Sequence, residues 1–391
     1  MEQRRKNLTQ LFIPICLETL LYMLSGMVDT LMLSSVNDQA VGAVGTANTY
    51  IGIFIIMFSV ISSGMVAVMT QNIGAGRPGV AYQARQLGLT FNAVLGIIVS
   101  LILAFGAGAI LAGVGVADAL MQPARTYLQI VGGFCILNAL IPICSSYLRA
   151  FGFSKEPLYA SIIGNVINFC LNAFFLFVLH KGVAGVATAT VISRIINLVI
   201  VVLLGAVLVK AKQHPERESN REVMGQIIRI GLPSACETAI YNVSMTLVIR
   251  FLNQMDAQGL NVTARSYTMQ ITNFSYCVGA ALAQANAIMT GWHIGAKEYD
   301  ACDRGTKKAA VIGVIVAVIL ETVFTLCSGW IMQLFSKDPQ MVSLVGKLLA
   351  IDIVLEIGRV TNLVYGQALK TSGDAVFPVV MGACFMILCS V

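Results

Sequence analysis

The stretch PICLETLLYMLS (residues 14–25) decides the fold, because it returns as PSACETAIYNVS (residues 233–244). Pro14-x3-Glu18-x3-Tyr22-x2-Ser25 becomes Pro233-x3-Glu237-x3-Tyr241-x2-Ser244, every position displaced by 219. Working outward, Ile73-Gly74-Ala75 recurs as Ile294-Gly295-Ala296 at an offset of 221, so about two residues were inserted between. The segment from Tyr147 to Gly164 lines up with Tyr365 to Gly382 at an offset of 218. Near-constant offsets over this distance mean two homologous halves. A soluble solenoid would repeat at about 20–50 residues instead. In a membrane chain, such halves form two lobes facing each other across a pathway, which is how transporters are built.

Composition supplies the membrane. Charged residues make up 11% of the chain, against about 25% in ordinary globular domains. Mean hydropathy is +0.81, and apolar runs of spanning length follow one another along the whole chain. They read as 11–35, 43–71, 86–113, 125–148, 157–179, 184–209, 226–252, 262–291, 308–335, 341–368 and 375–391. The basic leader MEQRRKNLTQ precedes a run too long for a signal peptide and has no A-x-A cleavage site, so that run is the first span. The ten cysteines sit almost entirely in apolar runs without CxxC spacing, and read as small packing residues rather than disulfides or metal ligands.

The distribution of basic residues sets the topology, and the net charge of +6 carries no nucleic-acid meaning here. One set of alternate loops holds 16 Lys and Arg, among them Arg4, Arg5, Lys6, Lys210 and Lys212; the other holds three, Arg125, Lys181 and Lys337. The positive-inside rule places the N-terminus in the cytoplasm, with Asp38, Asp118, Asp256 and Asp338 marking outer loops. The most polar linker follows the sixth span. It divides the chain into an N-lobe (1–209), a cytoplasmic linker (210–225) and a C-lobe (226–391). Six spans before the linker is an even number, so both lobes enter the membrane in the same sense, related by a pseudo-twofold along the membrane normal. The expected architecture is therefore all-α with two six-helix lobes, twelve spans in total. About eleven are present here, which reads as a twelfth lying beyond Val391.

Several motifs, taken in order, resemble the multidrug and toxic compound extrusion (MATE) family. Pro14 and Asp29 in the first span match its P-x(n)-D opening, and Gln71-x2-Gly74-Ala75 matches its Q-x2-G-A element. Leu148-Arg149-Ala150-Phe151-Gly152 is similar to its L-R-A-x-G turn. Asn165-x2-Asn168-x3-Asn172 and the run Gly182 to Thr190 resemble its fifth-span and sixth-span patterns. Glu356-Ile357-Gly358-Arg359-x2-Asn362, followed by Leu369 to Asp374, resembles the tenth-span end of a bacterial branch. The resemblance covers the whole chain. It implies a monomeric antiporter in the bacterial inner membrane, exporting small organic cations or amphipathic drugs as Na⁺ or H⁺ enters, with no cofactor beyond that ion.

Buried ionisable groups cost roughly 2.5–3.5 kcal/mol on insertion scales, so each needs a reason. Asp29 reads either as a carboxylate neutralised by a coupling cation or as a residue solvated near the outer surface. Asn165, Asn168 and Asn172 share one helical face, suited to cation ligation or to interhelical hydrogen bonding. By resemblance, Asp29, Asn168, Asn172 and Thr190 form an N-lobe Na⁺ site. Some relatives carry Asp at the position of Asn172, and the single carboxylate here weakens such a site. In the C-lobe, Glu237 and Glu356 are candidates for substrate or proton binding. Their alternatives are a favourable helix-dipole position for Glu237 and Glu18, and an ion pair with Arg359 for Glu356. A rival reading is flipping of a lipid-linked oligosaccharide. Catalysis is disfavoured: the three His (His180, His214, His293) lie at or near loops, and no HExxH, GxSxG or Walker A sequence occurs.

Overall fold

The computed structural model describes residues 6–35, 38–113, 116–210, 216–255, 260–333 and 338–390. Arg4, Arg5, Lys212, His214, Asp256 and Lys337 lie outside the described residues. The N-lobe contains α1 (Leu8–Ser34), α2 (Asp38–Gly74), α3 (Pro78–Gly113), α4 (Asp118–Tyr127), α5 (Ile136–Ala150), α6 (Lys155–Ala173) and α7 (Gly182–Leu208). The C-lobe contains α8 (Asn220–Met255), α9 (Leu260–Gly295), α10 (Tyr299–Leu326), α11 (Ser328–Met332), α12 (Pro339–Ser372) and α13 (Val376–Ser390). The protein is an all-helical, multi-pass, two-lobed bundle.

The helices outrun the apolar segments that announce them. α3 begins at Pro78 and α8 at Asn220, one to two turns before the hydrocarbon-like sequence starts. Polar turns extend a helix past the membrane boundary without breaking its hydrogen bonds. Five single helices, together with α6 and the π-helical turn that continues it to Val178, are long and apolar enough to cross a bilayer unaided. α8, α9 and α12 have 36, 36 and 34 residues but are diluted by polar side chains. The fourth span is broken: α4 runs into a π-helical turn (Leu128–Gly132), and α5 leaves at 43°.

Local chemistry explains several ends and bends. Pro14 lacks the N–H that the carbonyl of Gln10 would take in an unbroken helix, and the buried Ser154 hydroxyl donates to that carbonyl instead (3.0 Å). Asp338 caps α12 by accepting from the Gln340 amide at 2.9 Å, with Pro339 as its first residue. α12 ends at Gly373, whose φ of +109° lets Asp374 N–H reach back to the Leu369 carbonyl. Buried Asn92 on α3 donates to Phe58 O (3.3 Å) and Ala139 O (3.2 Å), stapling α2 and α5 together. The nine cysteines whose side chains are described are all free thiols.

The lobes meet along a seam on the face that carries the start of α1 and the end of α2, here called the N-face. Helix α2 crosses α8 where Gly64 faces Ile227 and Gly231 faces Val60; a Cβ on either glycine would collide with the opposing carbonyl oxygen. Nearer the helix ends, Gly74 meets Trp292 and Gly295 meets Gln71 in the same way. Three polar links fasten the seam. Trp292 Nε1 donates to Ala150 O (2.9 Å), Gln71 Nε2 to Thr371 O (2.5 Å), and Arg149 Nη1 to Gln284 Oε1 (3.1 Å). After Lys210, residues 216–219 lie against the α2–α3 turn: Arg77 pairs with Glu218, and Arg217 donates to Gly79 O.

Candidate functional site

Above the seam the lobes enclose a cavity of about 1040 Å³. Its floor holds Glu18, Arg149, Gln284 and Thr371, and its upper wall holds Asp29, Asn165, Asn168 and Thr190. Glu18 stands 10 residues into α1 and Asp29 stands 21 residues in. At 1.5 Å per residue they are about 16 Å apart along the helix axis. The C-lobe wall carries no charge, being built from Ala280, Ala281, Gln284, Ala287, Gln367 and Thr371.

Asp29, Asn165, Asn168 and Thr190 share the upper wall, with Asn172 behind Asp29, whereas Glu18 lies apart at the floor. Asn172 Nδ2 donates to Asp29 Oδ1 at 2.6 Å and to Asn168 Oδ1 at 3.2 Å. Asn172 is fully buried and Asn168 nearly so, because their i,i+4 spacing turns both from α6 toward α1. Asn165 lines the cavity one turn earlier, its Nδ2 buried and without a partner. The Thr190 hydroxyl donates to Val186 O (2.9 Å), which leaves its lone pairs toward the cavity it lines. In this state Asn172 presents its amide nitrogen to Asp29, so it anchors the carboxylate rather than offering a cation ligand. Its Oδ1 is buried with no partner.

Sequence reading missed Arg194. It lies one turn beyond Thr190 on α7, lines the cavity, and acts electrostatically on Asp29. No ion pair of Arg194 lies within 4.0 Å among the described residues. The signal was present: a single Arg within an otherwise apolar span demands an explanation.

The C-lobe candidates are placed apart. Glu237 Oε2 sits 2.5 Å from Lys370 Nζ, as Glu18 Oε2 sits 2.5 Å from Arg149 Nη2. Repeat-related acids thus each meet a cation at the end of their lobe's α12 or α5, and both are ion-paired rather than free. Glu356 lies 14 residues before Lys370 on α12, about 21 Å along the axis. It pairs with Arg359 Nη1 at 2.7 Å, and Arg359 Nη2 also meets Asp352 Oδ1 at 3.2 Å.

Two pseudo-repeated helical lobes around an intramembrane cavity with charged groups on its wall are the architecture of a membrane transporter. The chain belongs to the MatE family, whose model matches residues 14–174 and 233–391, once per lobe. It is 33% identical over 374 residues to the uncharacterized transporter YisQ of Bacillus subtilis, covering 94% of this chain and 82% of that protein. It is 22% identical over 391 residues to a probable multidrug resistance protein NorM of Thermotoga maritima, covering 96% and 82%. A crystal structure of MATE in the straight conformation superposes with a TM-score of 0.89 at 18% identity, covering 97% of this chain and 85% of that one.

Proposed function

We propose that the protein exports organic cations or amphipathic drugs in exchange for Na⁺ or H⁺, as a monomer in the bacterial inner membrane. The observation that carries this reading is Asp29: a carboxylate held by Asn172 on the wall of a cavity that the glycine seam closes from the N-face. The excess of basic residues in the loops of that face makes it cytoplasmic, so the cavity faces outward.

Charge balance supplies the exchange. Asp29 and Glu18 are offset by Arg194 and Arg149, so the empty cavity is close to neutral. Asp29 can then accept either a coupling cation or the cationic group of a substrate. Two like charges 5 Å apart repel by about 3 kcal/mol at an effective dielectric constant of 20, worth roughly a hundredfold in affinity. Loading one species therefore expels the other, and Arg194 sharpens the exclusion. The relatives named as multidrug resistance proteins support this substrate class.

The test is efflux of ethidium from proteoliposomes, under a Na⁺ gradient and a proton gradient imposed separately. One of the two is expected to drive efflux, and Asp29→Asn is expected to reduce it to the level of empty liposomes while inserting normally. Gradient-driven efflux by that variant would sink the Asp29 site; absence of efflux under both gradients would overturn the export reading.

A further inference from the structure

The C-lobe contains a second charged centre that the efflux cavity does not touch. Glu321 on α10 packs beside Asp352 and Glu356 on α12, and one carboxylate oxygen from each lies within 4.8 Å of the others. Glu321 and Glu356 are fully shielded, and the Asp352 side chain is 12% exposed. Arg359 neutralises one of the three charges through its contacts to Asp352 and Glu356. Ser275 on α9 gives its hydroxyl to Glu356 Oε1 at 3.1 Å. Arg359 acts on Glu321 only at a distance, and both Glu321 oxygens, with Oδ2 of Asp352, are buried without a hydrogen-bond partner.

We infer that Glu321, Asp352 and Glu356 form a binding site for Na⁺, separate from Asp29. Three carboxylates and one guanidinium leave a deficit of two positive charges, which a water-excluded site does not tolerate. The unanswered atoms are all oxygens, the ligands of hard cations. Three oxygens within 4.8 Å of one another enclose a point no more than about 2.8 Å from each, and a contraction of a few tenths of an ångström brings them to the 2.3–2.6 Å at which calcium-sized ions are held. Calcium needs 6–8 oxygens, and with Asp352 Oδ1 and Glu356 Oε2 taken by Arg359 the centre leaves four carboxylate oxygens and one hydroxyl. Sodium is close to calcium in size with half its charge, and one proton on a remaining carboxyl completes neutrality. The repeat does not require this centre: an offset of 218 carries Glu356 back to Asn138, which is uncharged.

The inference extends the cation-coupled reading by adding a second ion in the other lobe. Its test uses no gradient and no substrate, so the two readings fail separately. Radiolabelled Na⁺ is titrated onto the purified full chain in detergent. Saturable binding is expected to persist in Asp29→Asn, and to weaken at least about tenfold when Glu321→Gln or Glu356→Gln is added. Thermal melting in Na⁺-free buffer identifies which of the two added variants is folded, and Glu321→Asp is expected to retain binding. No saturable Na⁺ binding in Asp29→Asn overturns the inference without reference to any Glu321 variant. Unchanged binding in the folded added variants, or displacement of Na⁺ by equimolar Ca²⁺, overturns it as well.

Discussion

Asn172 governs what Asp29 can hold. Its amide donates to the carboxylate at 2.6 Å, which fixes the direction of that group on the cavity wall. Replacing it by Asp puts two carboxylates in that contact, and the pair gains negative charge at neutral pH. Asn172→Asp is therefore expected to lower the Na⁺ concentration for half-maximal efflux by about tenfold, measured in proteoliposomes; an unchanged value would remove Asn172 from the site. Arg194→Gln strips the opposing charge, and monocationic dyes are expected to bind several-fold more tightly, up to roughly tenfold, by fluorescence titration. Asn165, Asn168 and Asn172 were legible as one helical face from their spacing, whereas Asp29 and Thr190 were joined to them only through the resemblance of their motifs to the family. Arg194 and Glu321 were not singled out, although each is a lone charge in an apolar run. Their meaning comes from neighbours on other helices, which spacing along one helix does not reveal.

At the scale of helices, eleven apolar runs became eleven helical rods, yet two details lay outside the pattern. The break between α4 and α5 leaves no mark on hydropathy, since the residues around Gly132, Gly133 and Cys135 are as apolar as their flanks. The seam glycines look ordinary in a chain with 35 of them, and only the crossing of α2 with α8 and α9 singles them out. Gly231→Ala places a methyl against the Val60 carbonyl, in backbone that cannot yield as a side chain would. That substitution is expected to lower thermal stability by about 1–3 kcal/mol and to increase access to the cavity from the N-face. Gly225→Ala on the same helix meets nothing and serves as the control. Equal melting of the two variants would show that the seam tolerates separation.

For the molecule as a whole, orientation is the property on which export depends. Ser35 and Lys307 are exposed at opposite ends of the bundle. In a cysteine-free background, an impermeant maleimide is expected to label Ser35→Cys on intact cells and Lys307→Cys only after lysis. The reverse pattern would turn the cavity toward the cytoplasm. The lobes share an ancestor but divide the labour: charges facing the cavity come from the N-lobe, while the C-lobe offers a neutral wall and keeps its acidic cluster elsewhere. The seam between them is helix backbone against helix backbone. Where glycine meets carbonyl, parting it leaves the Gln71 and Trp292 carbonyls bonded to the amides of Ala75 and Ala296 in their own chain segments. The polar chemistry that holds it shut includes the links from Trp292, Gln71 and Arg149 and the contacts of Glu218 and Asn220 with Arg77 and Gln83. The seam is built as a smooth bearing held by small catches.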